Sequence, residues 1–288
     1  MNAALHTIQK VLQRPLLVLC VFVLRTAVAL GLSWPWVKLL APGSVMSLPL
    51  GDRSLFAPGA ALLIRVLVAR EQQIYRLARV DAVYVAGLAI LGSVFTASVL
   101  TTLNAGAGKG LSTWLRSTLR VVPSVVSIAF AFWSVTAVSI ALAKFIYPLI
   151  PAIVYPIAGE KGADFAILLL VFCALSWVFI VFVISDLARA AAVKFKTGPI
   201  RAFRMSIQLV TVRFQANFGV ALSWTLPAII GPALISRCLP SPDSSTKSQM
   251  VLVAAMHLFT IMGLCVVHLG WWAAALDLVG SQYCTKNS

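Results

Sequence analysis

Residues 165–184 read FAILLLVFCALSWVFIVFVI, twenty residues without a charge, and the chain then turns polar and basic as SDLARAAAVKFKTGPIRAFRMS over 185–206. About 20 apolar residues in a helix cross the roughly 30 Å of hydrocarbon in a bilayer. A water-soluble fold would have to wrap such a run on every side, and this chain has little polar surface with which to do so. Of its 288 residues 60% are hydrophobic and 11% are charged, against roughly 25% charged in soluble domains. Backbone groups in lipid must be satisfied within the protein, and long apolar runs without period-two alternation favour helices over a closed barrel. The sequence predicts an all-α, polytopic transmembrane helical bundle that forms one integral membrane domain over 1–288.

Six spans account for the apolar runs: 15–37, 82–104, 121–143, 165–185, 215–236 and 250–277. The stretch 145–158, FIYPLIPAIVYPIA, is too short and proline-rich for a seventh, and reads as a broken extension of span three or a re-entrant piece. Pro227 and Pro232 with Gly219 and Gly231 predict a kinked or broken span five. At the N-terminus, Leu19 before Cys20 is too large for a lipoprotein cleavage site, and Arg25 interrupts any secretory signal, so an uncleaved first helix is expected. Trp34, Trp36, Trp114, Trp271 and Trp272 fall near span ends, where indoles anchor helices at the membrane surface.

Charge sets the expected orientation. Six spans put both ends of the chain on one side. There lie Lys10, Arg14, Lys109, Arg116, Arg120, Arg189, Lys194, Lys196, Arg201, Arg204, Arg213 and Lys286. The other side holds Lys38, Arg53, Arg65, Arg70, Arg76, Arg79, Lys161, Arg237 and Lys247. The positive-inside rule then places both termini in the cytoplasm, by a modest margin. The net charge of +15 resides at the ends of apolar runs, which points to anionic headgroups of the lipid bilayer as the partner and away from nucleic acid. Lys109, Arg116, Arg120, Lys194, Lys196 and Arg201 are the basic residues expected to face lipid.

A pattern recurs on the cytoplasmic side. GKGLSTWLRSTLRVV (108–122) and TGPIRAFRMSIQLV (197–210) each open on a glycine break and run into a span, with arginines on one face and apolar residues on the other. Residues 1–14 offer a poorer third copy. The chain reads as three parallel helical-hairpin repeats, each led by a basic amphipathic helix, with interfacial helices at 110–120 and 199–213. A further interfacial helix is expected at 58–80, with Arg65, Gln72, Arg76 and Arg79 on its polar face, serving as a surface connector or as a lipid- or partner-binding element. An Asp-Leu step ends both return helices, at Asp186 and at Asp277.

SDLARAAAV at the end of a span, the basic amphipathic helix after it, and WWAAALDLV near the C-terminus resemble a group of bacterial six-helix membrane proteins. They are similar to the membrane domain that accompanies some glycerophosphodiester phosphodiesterases, and to stand-alone relatives. The resemblance implies the layout alone. Catalysis in that family belongs to a soluble barrel that no stretch of this chain could form, so no catalytic residue carries over.

Charged groups inside a bilayer are the best pointers to function. Arg25 falls near the middle of span one and needs a partner or a water-filled cavity, with Asp186 and Asp277 as candidates. Asp186 and Arg189 share a helical face, and Arg204 or Arg213 from the next helix could join them. An acid at a helix C-terminus faces the negative end of the macrodipole, so arginine is its expected counterion. Arg25, Asp186, Arg189, Arg204, Arg213 and Asp277 thus form the candidate polar cluster, read either as a structural clamp or as a substrate or proton site. His257 and His268 are eleven residues apart, about 16 Å along one helix, too far to share a metal. The five cysteines show no paired spacing, and no GxSxG, Walker A or GxGxxG motif occurs. No catalytic, cofactor or metal site is expected. The sequence favours a non-enzymatic scaffold, anchor or accessory subunit that contacts anionic lipid or a protein partner in a membrane complex. The alternative is a small permease or lipid-handling transporter using Arg25, Asp186 and a broken span five.

Overall fold

The computed structural model describes residues 2–40, 71–105, 111–212, 214–238 and 247–284, and all regular structure among them is helical. The elements are α1 (Asn2–Leu12), α2 (Pro15–Leu40), α3 (Glu71–Ala105), α4 (Leu111–Ile146), α5 (Leu149–Phe195), α6 (Pro199–Val212), α7 (Phe214–Cys238) and α8 (Lys247–Cys284). Among the described residues, five stretches are long and apolar enough to cross a membrane: Pro15–Pro35, Gly87–Ala105, Ser112–Ile146, Leu149–Phe195 and Ala255–Ser281. They fall in α2, α3, α4, α5 and α8, as expected for five of the six runs.

The structure corrects several boundaries. The run expected as a broken fifth span is helical without interruption from Phe214 to Cys238, with Pro227 and Pro232 inside it. A proline removes one backbone donor, and the turns on either side still close, so an apolar helix can carry it. The stretch 145–158 is helical on both sides of one turn at 147–148. The chain leaves α4 at Ile146, Pro148 caps the next helix, and residues 149–158 are helical up to Gly159, whose φ of 67° and ψ of −171° break α5 once. Beyond Gly159 the fourth apolar run continues as helix ten residues past its expected end, to Phe195, because Ala188, Ala190, Ala191 and Ala192 are the best of helix formers. Of the helix expected at 58–80, residues 58–70 lie outside the described residues. Residues 71–80 are continuous with the span that follows, and Gln72, Arg76 and Arg79 stand exposed on them.

The chain divides into two compact units, one of residues 1–89 with 223–270 and the other of 90–222 with 271–288. In the first, α1 packs on α2, burying Val11 and Val21. Within the same unit Trp224 of α7 is seated directly over Gly270 of α8, where a Cβ would overlap its ring.

The second unit shows how the apolar residues are distributed. There α5 packs against α4 and α6, and α4 touches α6. The most hydrophobic half of α5 faces outward: Phe165, Leu168, Phe172 and Leu175 are each about two-thirds exposed. Its less apolar end is enclosed instead, with Ser185, Asp186, Leu187, Ala188 and Ala190 through Val193 all buried. α4 repeats this, with Val121, Val125 and Ile128 buried near its start and Phe130, Val138, Ile140 and Phe145 exposed further along. Water would penalise so much contiguous apolar surface, whereas hydrocarbon accepts it and leaves the polar groups to the protein interior.

Replacing Gly270 by alanine should force Trp224 aside and lower the stability of the detergent-solubilised protein by about 1–3 kcal/mol, the usual result of overpacking. A thermal melt followed by tryptophan fluorescence measures this, and an unchanged midpoint would contradict the seat assigned to Trp224.

Candidate functional site

The chemistry of the second unit centres on Asp186. The alanine-rich end of α5 has small side chains, which lets neighbouring helices approach closely enough to seal the carboxylate at 1% exposure. Its two oxygens are engaged separately. The Arg189 Nη1 donates to Oδ1 at 3.0 Å, one helical turn away. The indole Nε1–H of Trp271, from α8, donates to Oδ2 at 2.8 Å. Both partners are donors and the carboxylate only accepts, which is the bonding of an ionised acid. Hydrogen bonds to a charged acceptor are roughly twice as strong as neutral ones, and a buried charge requires them, because desolvation otherwise exceeds the Coulombic gain.

Arg189 is itself held from above. Its guanidinium carbon lies 5.9 Å from the ring centroid of Phe132 on α4, within cation–π range. Phe132 meets Phe182 and Trp133 edge-on, at centroid separations of 6.5 and 5.5 Å. The cluster thus joins α4, α5 and the end of α8.

Two further contacts close the same region. Lys194 Nζ, two turns beyond Asp186 on α5, donates to the backbone carbonyl of Leu276 on α8 at 2.8 Å. Its ammonium lies where any Cβ at position 280 would stand, so Gly280 is required for the approach. At the other joint, Asn217 of α7 is buried and its Nδ2 donates to the carbonyl of Leu209 at 2.7 Å, satisfying an end of α6. The turn between α5 and α6 uses a left-handed Lys196 (φ 49°) and Pro199 as first residue of the new helix. The indole of Trp114, at the start of α4, donates to Thr102 Oγ1 of α3 at 2.9 Å.

Of the residues expected to cluster, Asp186 and Arg189 do. Arg204 stands on the exposed face of α6 and does not join them, because Trp271 occupies the second oxygen. Arg213 lies outside the described residues. Asp277 is exposed where Asp186 is buried, so the two Asp-Leu steps are not equivalent. The dipole argument also fails for Asp186: α5 continues to Phe195, which places the acid well inside the helix, and the end effect fades within the last turn. Arg25 is half-buried on α2, with its guanidinium beside the Cys265 thiol of α8; Asp186, one of its two expected partners, is taken by Arg189 and Trp271. Among the basic residues expected to face lipid, Lys194 does not, being turned inward to Leu276. Arg116, Arg120, Lys196 and Arg201 are exposed, and Lys109 lies outside the described residues.

Sequence reasoning treated Trp271 as a surface anchor and missed its role. The one available signal is that an indole N–H that becomes buried needs an acceptor. Among the described residues, no three His, Cys, Asp or Glu side chains gather as a metal-holding group. His257 is exposed and His268 half-buried.

Trp271→Phe should cost about 1.5–3 kcal/mol, the value of a hydrogen bond to a charged group, and Asp186→Ala about 3–5 kcal/mol by stranding the arginine. Combined in a double-mutant cycle, the two should couple by more than about 0.5 kcal/mol. Strict additivity in chemical unfolding would contradict the contact. Scans of protein-family models, curated proteins and solved structures found no match to the chain.

Proposed function

We propose that the chain is a multi-pass protein of a bacterial inner membrane, with both termini in the cytoplasm, and that it acts as a non-enzymatic scaffold, anchor or accessory subunit. The observation that carries this reading is the closure of the Asp186 site. Its oxygens accept from Trp271 and Arg189 at 2.8 and 3.0 Å at 1% exposure, so bonding capacity on both oxygens is taken up inside the protein, by α8 and by α5 itself. A proton- or substrate-carrying acid would keep part of that capacity open to a cavity. The transport reading also relied on a broken span five, whereas α7 is helical throughout.

The orientation rests on the excess of Lys and Arg assigned to the side holding both termini. α7 supplies span five in this reading, and α1, the start of α4 and α6 are the lead-in helices of three parallel repeats. The resemblance to the membrane domain that accompanies some glycerophosphodiester phosphodiesterases belongs to the same proposal and rests on SDLARAAAV and WWAAALDLV alone.

The test is purification of the full chain from its own membrane in a gentle detergent, followed by size exclusion and quantitative mass spectrometry. A scaffold retains a protein partner in near-stoichiometric amount. A chain that elutes alone, and that moves a solute when reconstituted, would overturn the proposal.

A further inference from the structure

Unit two presents a second feature besides the closed clamp. α4 and α6 touch one another, and each has one face sunk into the protein: Thr118 and Val121 near the start of α4, and Ala202, Met205, Ser206, Leu209 and Val210 on α6. Their opposite faces are of mixed character. Arg116, Arg120, Arg201 and Arg204 are exposed, and beside them so are large aliphatic side chains, with Leu119 at 60%, Ile200 at 85% and Val212 at 74%. Neither α4 nor α6 contains an acidic residue. A solvated helix face would not place isoleucine and valine so openly between its arginines, whereas an interfacial one would, with aliphatics entering the acyl region and guanidinium groups at the phosphates.

We propose that the arginine pairs Arg116/Arg120 and Arg201/Arg204 form one binding surface for the phosphodiester headgroups of anionic phospholipid, with Leu119, Ile200 and Val212 seated among the acyl chains. The proposal rests on the membrane reading above and gives it a specific lipid partner. Guanidinium forks match phosphate oxygens in pairs, and two such pairs on touching helices accept two singly charged phosphates or both phosphates of one cardiolipin-type lipid.

The full chain in a neutral detergent is offered phosphatidylglycerol, cardiolipin and phosphatidylcholine separately, and bound lipid is counted by native mass spectrometry. Anionic lipid should be retained over phosphatidylcholine. The variants R116Q/R120Q and R201Q/R204Q should each lose affinity roughly thirtyfold, at about 1 kcal/mol per basic residue near anionic lipid. Arginine-to-lysine versions, which keep the charge, should recover most of it and show that the loss is not one of folding. Cardiolipin binding above that of phosphatidylglycerol at equal phosphate assigns both pairs to one molecule; equal binding assigns them to separate lipids. Either result supports the surface. Retention of phosphatidylcholine to the same degree, or anionic binding unchanged in both double variants, overturns it. So does loss of an acidic protein from the purified complex of those variants while lipid retention stays constant. Recovery of the chain from membranes by salt alone, without detergent, would instead refute the membrane reading beneath the proposal.

Discussion

A carboxylate at 1% exposure in a helix that leads out of twenty uncharged residues is the constraint to which the second unit is fitted. Asp186 needs donors on both oxygens, and only a close approach of α8 supplies the second one, through Trp271. That approach requires small residues around the acid, which the run of alanines at 188 and 190–192 provides. Two turns later the same packing lets Lys194 reach the Leu276 carbonyl over Gly280. A shift of α8 by one residue along α5 would break both contacts together, so the pair fixes register as well as proximity. Buried ionic groups add little net stability over well-packed apolar ones, but they do exclude alternatives that strand a charge.

The location of this core accounts for the arrangement of the rest. Polar and charged groups gather where α4, α5, α6 and the end of α8 enclose one another, and the purely apolar stretches of α4 and α5 project outward from that point. In a membrane this is the economical arrangement: hydrocarbon surrounds the leucines and phenylalanines, while the protein interior handles every group that hydrogen-bonds. In the proposed reading α6 and the start of α4 lie at the boundary, with one face buried and the other holding arginine and aliphatic side chains together. Such a distribution supports the proposed scaffold over a carrier.

Much of the architecture was legible in the sequence because length and hydropathy alone determine which runs can cross a bilayer. The amphipathic spacing of 199–212 likewise gave α6 its buried face at Ala202, Met205, Leu209 and Val210. Asp186 with Arg189 was legible because three residues along a helix bring side chains together whatever the tertiary structure. What escaped was what depends on long-range packing. Trp271 is 85 residues from Asp186, and nothing local distinguishes a tryptophan that anchors a span from one that bonds a buried acid. Lys194 read as a lipid-facing base for the same reason. The extension of α5 to Phe195 was missed because the charge at 186 looked like a membrane exit, although alanine continues a helix regardless of the solvent around it.

In the proposed membrane the hydrophobic half of α5 faces lipid while its polar end is enclosed by protein. A membrane-soluble carbene, activated in vesicles containing the full chain and mapped by residue, measures this directly. Insertion at Phe165, Leu168, Phe172 and Leu175, with none from Leu187 to Val193, is the predicted result. Insertion across Leu187 to Val193, or none between Phe165 and Leu175, would contradict it.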